Sequence, residues 1–119
     1  MASRFTELVI DCSEPRSVAR FWADVLGYRV TEDDDEGVLI EGDAGGAPGL
    51  YFIHVPEPKT VKNRLHIDVN PVDRDQDEEV ERIVALGARH VDVGQGESSW
   101  VVLADPEGNE FCVLRSRAQ

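Results

Sequence analysis

The chain writes one pattern twice, and that repeat limits its folds more than any other feature. An apolar stripe of Val18, Phe21, Trp22, Val25 and Leu26 ends at Gly27 and runs into Tyr28-Arg29-Val30. A second, with Val80, Ile83 and Val84, ends at Leu86-Gly87 and runs into Ala88-Arg89-His90-Val91. Each follows a similar apolar run, Leu8-Val9-Ile10-Asp11 in one half and Leu65-His66-Ile67-Asp68 in the other, and each precedes two apolar runs around a Gly-bearing turn. Two copies of one supersecondary unit commonly face each other across a shared cleft, so the repeat predicts a site as well as a fold.

The expected order is βαβββ, twice. In the first copy, strands are expected at Phe5–Cys12, Tyr28–Thr31, Val38–Glu41 and Leu50–Val55. The i, i+3, i+4, i+7, i+8 stripe behind Pro15 predicts a helix that Gly27 stops. Glu32–Gly37 reads as an acidic turn and Gly42–Gly49 as a second turn. In the second copy, strands are expected at Arg64–Val69, Arg89–Val93, Trp100–Ala104 and Glu110–Leu114, and a helix whose N-cap is Asp73 or Asp75. The whole is an α+β fold, a single domain over 1–119 with module one about 5–55, a Pro-bearing linker 56–63 and module two about 64–115, its sheet curled around the cleft.

Composition narrows the functions. A chain of 119 residues with 41% apolar content supports an ordinary core. A net charge of −12 argues against nucleic acid and anionic membrane surfaces, and suits a cationic small molecule as well as plain solubility. No apolar run is long enough to span a bilayer, the first residues lack a signal-peptide core, and two cysteines make no disulfide framework. The expectation is a cytoplasmic protein with Cys12 and Cys112 both reduced.

Strand alternation sorts the polar residues. Glu7, Val9 and Asp11 share one face of the first strand, with Leu8, Ile10 and Cys12 on the other. His66, Asp68 and Asn70 oppose Ile67 and Val69, and Glu110 and Cys112 oppose Phe111 and Val113. A polar strand face lines either water or a site.

These residues also resemble a known family. Phe21-Trp22-Ala23-Asp24-Val25-Leu26-Gly27 is similar to the helix end of the vicinal oxygen chelate superfamily, and Asp105-Pro106-Glu107-Gly108-Asn109 resembles its closing turn. Leu65-His66-Ile67 resembles the strand that opens its second module. The superfamily includes glyoxalase I, extradiol dioxygenases, fosfomycin-resistance transferases and bleomycin-binding proteins; the nearest likeness is to small glyoxalase-like domains. The resemblance implies a divalent metal in the cleft, and residue-by-residue transfer puts its ligands at Glu7, His66 and Cys112, with Glu7 also the catalytic proton carrier. It further implies a homodimer.

Departures from that pattern shape the expectation. Matching the two Ile-Asp strands directly puts Val9, not Glu7, opposite His66, so the first ligand position stays open. Cys112 stands where the family has a carboxylate; Glu, His and Cys together suit zinc better than magnesium or manganese. Aligning Phe52 with Phe111 turns Ile53 inward rather than His54, whose role stays open. Glu32–Gly37 lacks the ligand order and flanking helices of a calcium loop, and Gly42–Gly49 lacks those of a phosphate loop. Trp100 is either an aromatic wall of the cleft or core, and His90 an ordinary surface or half-buried residue.

Three functions compete. One is a small-molecule binding protein of the glyoxalase/bleomycin-resistance type, its ligand held in the central cleft by Asp11, Asp68, Trp100 and Glu110, a lining that suits a cationic molecule. This reading is preferred. The runner-up is a metal-dependent lyase, isomerase or dioxygenase using the same cleft. The third, an accessory domain for a partner protein, has no specific residue in its favour.

Overall fold

The structure, a computed structural model, describes residues 1–43, 47–92, 94 and 99–117. Its contacts divide the chain into two compact units, Met1–Pro58 and Lys59–Gln119. Each holds one helix and one four-stranded sheet, and the class is α+β with βαβββ order in each unit. No helix among the described residues is long and apolar enough to cross a membrane.

Unit one runs β1 (Glu7–Cys12), α1 (Pro15–Leu26), β2 (Arg29–Asp33), β3 (Gly37–Glu41) and β4 (Gly49–His54). Pro15 starts α1 at its first turn, where a missing N–H costs nothing. The stripe then buries Val18, Phe21, Trp22 and Val25, with the Phe21 and Trp22 rings edge to face at 5.4 Å. Gly27 ends the helix at φ 69°, which only glycine adopts freely, and the Tyr28 N–H closes back onto the Ala23 carbonyl at 3.0 Å. Sheet order is β1-β4-β3-β2, with β1 parallel to β4. The helix packs on β2, β3 and β4, where Val38, Ile40, Leu50 and Phe52 form the buried layer. A Cβ on Gly37 would run into the Phe52 carbonyl oxygen, so β3 can begin there only with glycine.

The first strand starts at Glu7 rather than Phe5 because its partner β4 begins at Gly49, opposite Glu7; Phe5 stays exposed. The acidic turn is shorter than expected. The β2 strand continues to Asp33 through an irregularity between Val30 and Glu32, and the bend is 34–36, tied by Asp34 Oδ1 accepting from the Glu36 and Gly37 N–H groups. Part of the expected Gly42–Gly49 turn, residues 44–46, lies outside the described residues.

Unit two runs β5 (Ile67–Val69), α2 (Gln76–Leu86), β6 (Arg89–His90), β7 (Val101–Ala104) and β8 (Glu110–Val113), in sheet order β5-β8-β7-β6. Of the two expected caps, Asp75 is the one used: it accepts from the Glu78 N–H at 2.8 Å while Glu78 accepts from the Asp75 N–H at 3.3 Å. Such a reciprocal cap contributes about 1 kcal/mol. The expected strand Arg64–Val69 shrinks to Ile67–Val69. Ladder pairing starts at Ile67 opposite Phe111, and because β8 begins only at Glu110, residues 64 and 65 would run past its start. The β6 strand likewise stops at His90; Val93, the end expected for it, lies outside the described residues.

Candidate functional site

The helix-averted face of sheet one carries Glu7, Val9 and Asp11 from β1, Tyr51 and Ile53 from β4, and Leu39 from β3. Ladder pairing sets Val9 beside Tyr51, Asp11 beside Ile53 and Leu39 beside Tyr51. Val9 and Asp11 are exposed, and Glu7, Leu39, Tyr51 and Ile53 are half-buried, whereas the opposite face is closed by α1. Partial desolvation and the carboxylates of Asp34, Glu36, Glu32 and Glu7 raise the Tyr51 phenol above its usual range. The face is therefore aromatic and apolar in its middle and negative around it. Cys12 lies on the helix side with Ile10, donating to the Ile53 carbonyl at 3.5 Å. His54, opposite Cys12, is exposed and holds Nδ1 3.0 Å from the Ser13 carbonyl.

In unit two, parallel pairing of β5 with β8 sets Asp68 directly beside Cys112. His66, two residues before Asp68, brings Nε2 to 3.4 Å from Asp68 Oδ1. One donor atom from each of His66, Asp68 and Cys112 lies within 4.8 Å of the others. The imidazole and carboxylate are about half exposed, 46% and 48%, while the thiol is buried, so the group has one open side. Burial and the neighbouring Asp68 carboxylate push the Cys112 thiol up, against a smaller opposing pull from Lys62.

The closing turn fixes the start of β8. Buried Asp105 accepts at Oδ1 from the Glu107 and Asn109 N–H groups, both at 2.9 Å, and at Oδ2 from the Asn109 amide at 3.0 Å. Asn109 in turn accepts from the Asn63 side chain at 2.9 Å. Glu110 is then engaged at both oxygens, by the Asn63 N–H at 2.9 Å and the Lys59 ammonium at 3.0 Å. Burial works to raise its pKa, but the Asn63 N–H and Lys59 together hold the carboxyl below its usual range.

Of the residues singled out in the sequence, the structure therefore gathers His66, Asp68 and Cys112. Asp68, expected as a ligand-binding residue, lies beside His66 and Cys112, while Glu7, expected as a metal ligand, lies on β1 in unit one. Glu110, expected to bind ligand, has its two carboxylate oxygens engaged by Lys59 and the Asn63 N–H. Asp11 is exposed near the end of β1, and Trp100, 41% exposed, lies two residues before Val102, which pairs with Cys112. Cys12 and Cys112 are both free of disulfides, as expected.

The chemistry of the donor set fits a soft divalent ion. Imidazole, thiolate and carboxylate are the ligands zinc takes, and a thiolate serves a hard oxygen-seeking ion poorly.

The profile of the glyoxalase-like domain family matches residues 7–114, nearly the whole chain. The chain belongs to that family. Among solved structures, the glyoxalase-like domain is similar to a glyoxalase/bleomycin resistance protein/dioxygenase family enzyme from Burkholderia phytofirmans, with TM-score 0.70, 18% identity, and 91% of this chain and 94% of the other covered. A fosfomycin resistance protein, FosX, from Listeria monocytogenes, complexed with Mn(II) and 1S,2S-dihydroxypropylphosphonic acid, gives TM-score 0.71 at 16% identity, covering 99% and 93%. FosX from Mesorhizobium loti gives 0.70 at 16%, covering 96% and 92%. No curated protein matched in sequence. These likenesses confirm the vicinal oxygen chelate fold for the glyoxalase-like domain; at such identities they carry the fold alone.

Proposed function

We propose that this glyoxalase-like domain is a small-molecule binding protein of the glyoxalase/bleomycin-resistance type. The observation that carries the reading is the helix-averted face of sheet one, where Val9, Leu39, Tyr51 and Ile53 are left partly open among the carboxylates of Glu7 and Asp11. Apolar and aromatic surface with a few convergent polar groups is what small-molecule sites are made of. Its charge favours a cationic ligand, through carboxylate attraction and the Tyr51 ring. Asp68 adds a further half-exposed carboxylate in module two; Trp100 is an aromatic contact in the same reading. The test is a thermal-shift and calorimetric screen of planar cationic, neutral and anionic small molecules. Saturable binding of the cationic set, weakened by Asp11→Asn and by Tyr51→Ala, supports it; exclusive binding of anions sinks it.

A second reading, a metal-dependent lyase, isomerase or dioxygenase, is favoured by the His66, Asp68 and Cys112 group. A divalent ion held there, zinc more readily than manganese or magnesium, would polarise a substrate oxygen, and Glu7 is the residue proposed to carry a proton. The same proposal places the chain in the cytoplasm as a homodimer. Neither Cys12 nor Cys112 is in a disulfide, which suits a reducing compartment. The sheets end in β1 and β2 and in β5 and β6, edges of the kind proteins cover or pair. Light scattering at micromolar concentration tests the dimer.

A further inference from the structure

Charge is laid unevenly along this chain. Residues 58–67 contain no Asp or Glu, although the chain has 24 of them in 119 residues. The same ten residues hold both lysines of the chain, Lys59 and Lys62, together with Arg64. At the other extreme, Glu32 to Glu36 are five consecutive acidic residues at the tip of the β2–β3 hairpin. Both stretches lie open: Lys62, Arg64 and all of residues 32–36 are exposed.

We propose that the basic segment 59–65 of one copy of this chain receives the acidic hairpin tip, residues 32–36, of a second copy, and that two such contacts about a two-fold axis form the homodimer. This rests on the homodimer of the reading above and names the surface that makes it; it is independent of what the domain binds.

The basic segment is held ready for a partner. Lys59 is tied to Glu110 at 3.0 Å and to the Val61 carbonyl, the Asn63 N–H donates to Glu110 at 2.9 Å, and the Asn63 side chain donates to Asn109 at 2.9 Å. A segment fixed before association loses little freedom on binding, so more of its contact energy appears as affinity. Between and beyond these ties it presents Val61, 74% exposed, and Leu65, 80% exposed, flanking Lys62 and Arg64. One exposed aliphatic side chain means little. Two on one tied segment, rimmed by cations, have the make-up of an interface patch, with an apolar centre and a polar edge.

The charges on both sides are available. Among the described residues, neither Lys62 nor Arg64 forms an ion pair, and in the hairpin tip only Asp33 does, with Arg16. Asp34 Oδ1 accepts from the Glu36 and Gly37 N–H groups, so the tip has a set shape as well as a charge. Val30, half exposed on β2 just before it, offers apolar surface to Leu65 and Val61. Patches of opposite sign steer encounter and fix register. Two copies at −12 each repel as whole bodies. At physiological ionic strength that repulsion is screened beyond about 8 Å, whereas charges in contact are screened much less. The net charge also disfavours nucleic acid or an anionic membrane as the occupant, since both need a broad basic footprint. A single hairpin-to-segment contact joins two different surfaces and would extend without end; two of them about a two-fold axis close at a dimer.

The test is sedimentation velocity and native mass spectrometry on the full chain at micromolar concentration. The wild-type chain should be a dimer. Lys62→Glu with Arg64→Glu should raise its dissociation constant by more than about a hundredfold, because like charges set face to face are strongly unfavourable. Glu32→Lys with Asp35→Lys should do the same. Leu65→Ser should raise it by more than about fivefold, as truncation of an interface anchor does. All five side chains are exposed, so the variants keep the fold, and circular dichroism checks each. The deciding arm mixes the two charge-reversed variants. Each then meets a partner of opposite sign at both contacts, and a heterodimer of near wild-type affinity should form. A dimer indifferent to both reversals would leave the homodimer standing and overturn this surface. Two monomeric variants that fail to restore each other, or a wild-type mass that grows past two chains, would also overturn it. A monomeric wild-type chain would sink the homodimer reading and this surface together.

Discussion

The two modules have the same element order and hold themselves together by different means. Module one is fastened by apolar packing: its strands run five to six residues, its helix stripe buries two aromatic rings, and its core around Phe52 and Ile40 is fully enclosed. Module two has strands of two to four residues, and all of the buried polar side chains among the described residues, Gln76, Glu79 and Asp105, belong to it. Gln76 spans from α2 to the Ser99 and Val113 carbonyls, and Asp105 knots the closing turn. Short ladders supply few backbone bonds, and directional side-chain bonds fix what they leave loose. Donor groups that must keep one geometry are served better by such ties than by greasy contact, and module two is where His66, Asp68 and Cys112 meet.

The largest effects test whether each module has its own apolar core. Phe52 and Phe111 are equivalent positions, 0% and 1% exposed. Replacing either with Ala should cost about 3–5 kcal/mol in urea unfolding. A cost below about 1 kcal/mol for Phe111→Ala would mean module two depends on its polar ties alone. Next comes Asp105→Ala, which leaves the Glu107 and Asn109 donors without their acceptor and should cost about 2–3 kcal/mol. Chemical denaturation checks it; a neutral result would remove the contrast drawn between the modules.

Much of this was legible in the chain, for identifiable reasons. The helix stripes, the glycine stops and the Asp75 cap are local signals, written within one or two turns, and the strand faces follow from a period of two. The family motifs covered the fold, and His66 and Cys112 were named from them. The pairing of Asp68 with Cys112 was not legible, because register between strands more than forty residues apart is set by packing and not by any local pattern. The partners of Glu110 were hidden for a related reason: a strand face is read from alternation alone, and only the path of residues 59–63 brings Lys59 and Asn63 to its carboxylate. The strand expected from Arg64 failed similarly, since β propensity cannot supply the missing neighbour.

The Glu110 fastening gives a smaller, pH-dependent effect. Its folded-state pKa lies below the ordinary value, so protons bind it less readily folded than unfolded. The stability it contributes is full above the unfolded pKa, about 4.3, and is lost as pH falls through the lower folded value. Glu110→Gln should therefore destabilise module two at pH 7, and the gap from wild type should close as pH drops from 5 toward 3. Urea midpoints across that range check the sign. A gap that widens on acidification would mean the Lys59 contact does not hold the carboxylate.

The smallest effect on folding belongs to the residue with the most expected of it chemically. His66 is half exposed, outside any regular strand, and Asp68, 3.4 Å from its Nε2, is equally solvated. A solvated polar contact of this kind contributes little, and His66→Ala should shift stability by no more than about 0.5 kcal/mol. The same substitution should remove ligand or metal binding, because it takes away a donor from a group of three. A thermal melt beside a binding titration on one sample separates the two. If His66→Ala unfolds the protein, the imidazole is doing packing work and the polar face of β5 has been assigned to the wrong side. Asp68 and Cys112 would then lie on the packed side of their sheet, and the division between an apolar module one and a chemically equipped module two would fail at its most specific residue.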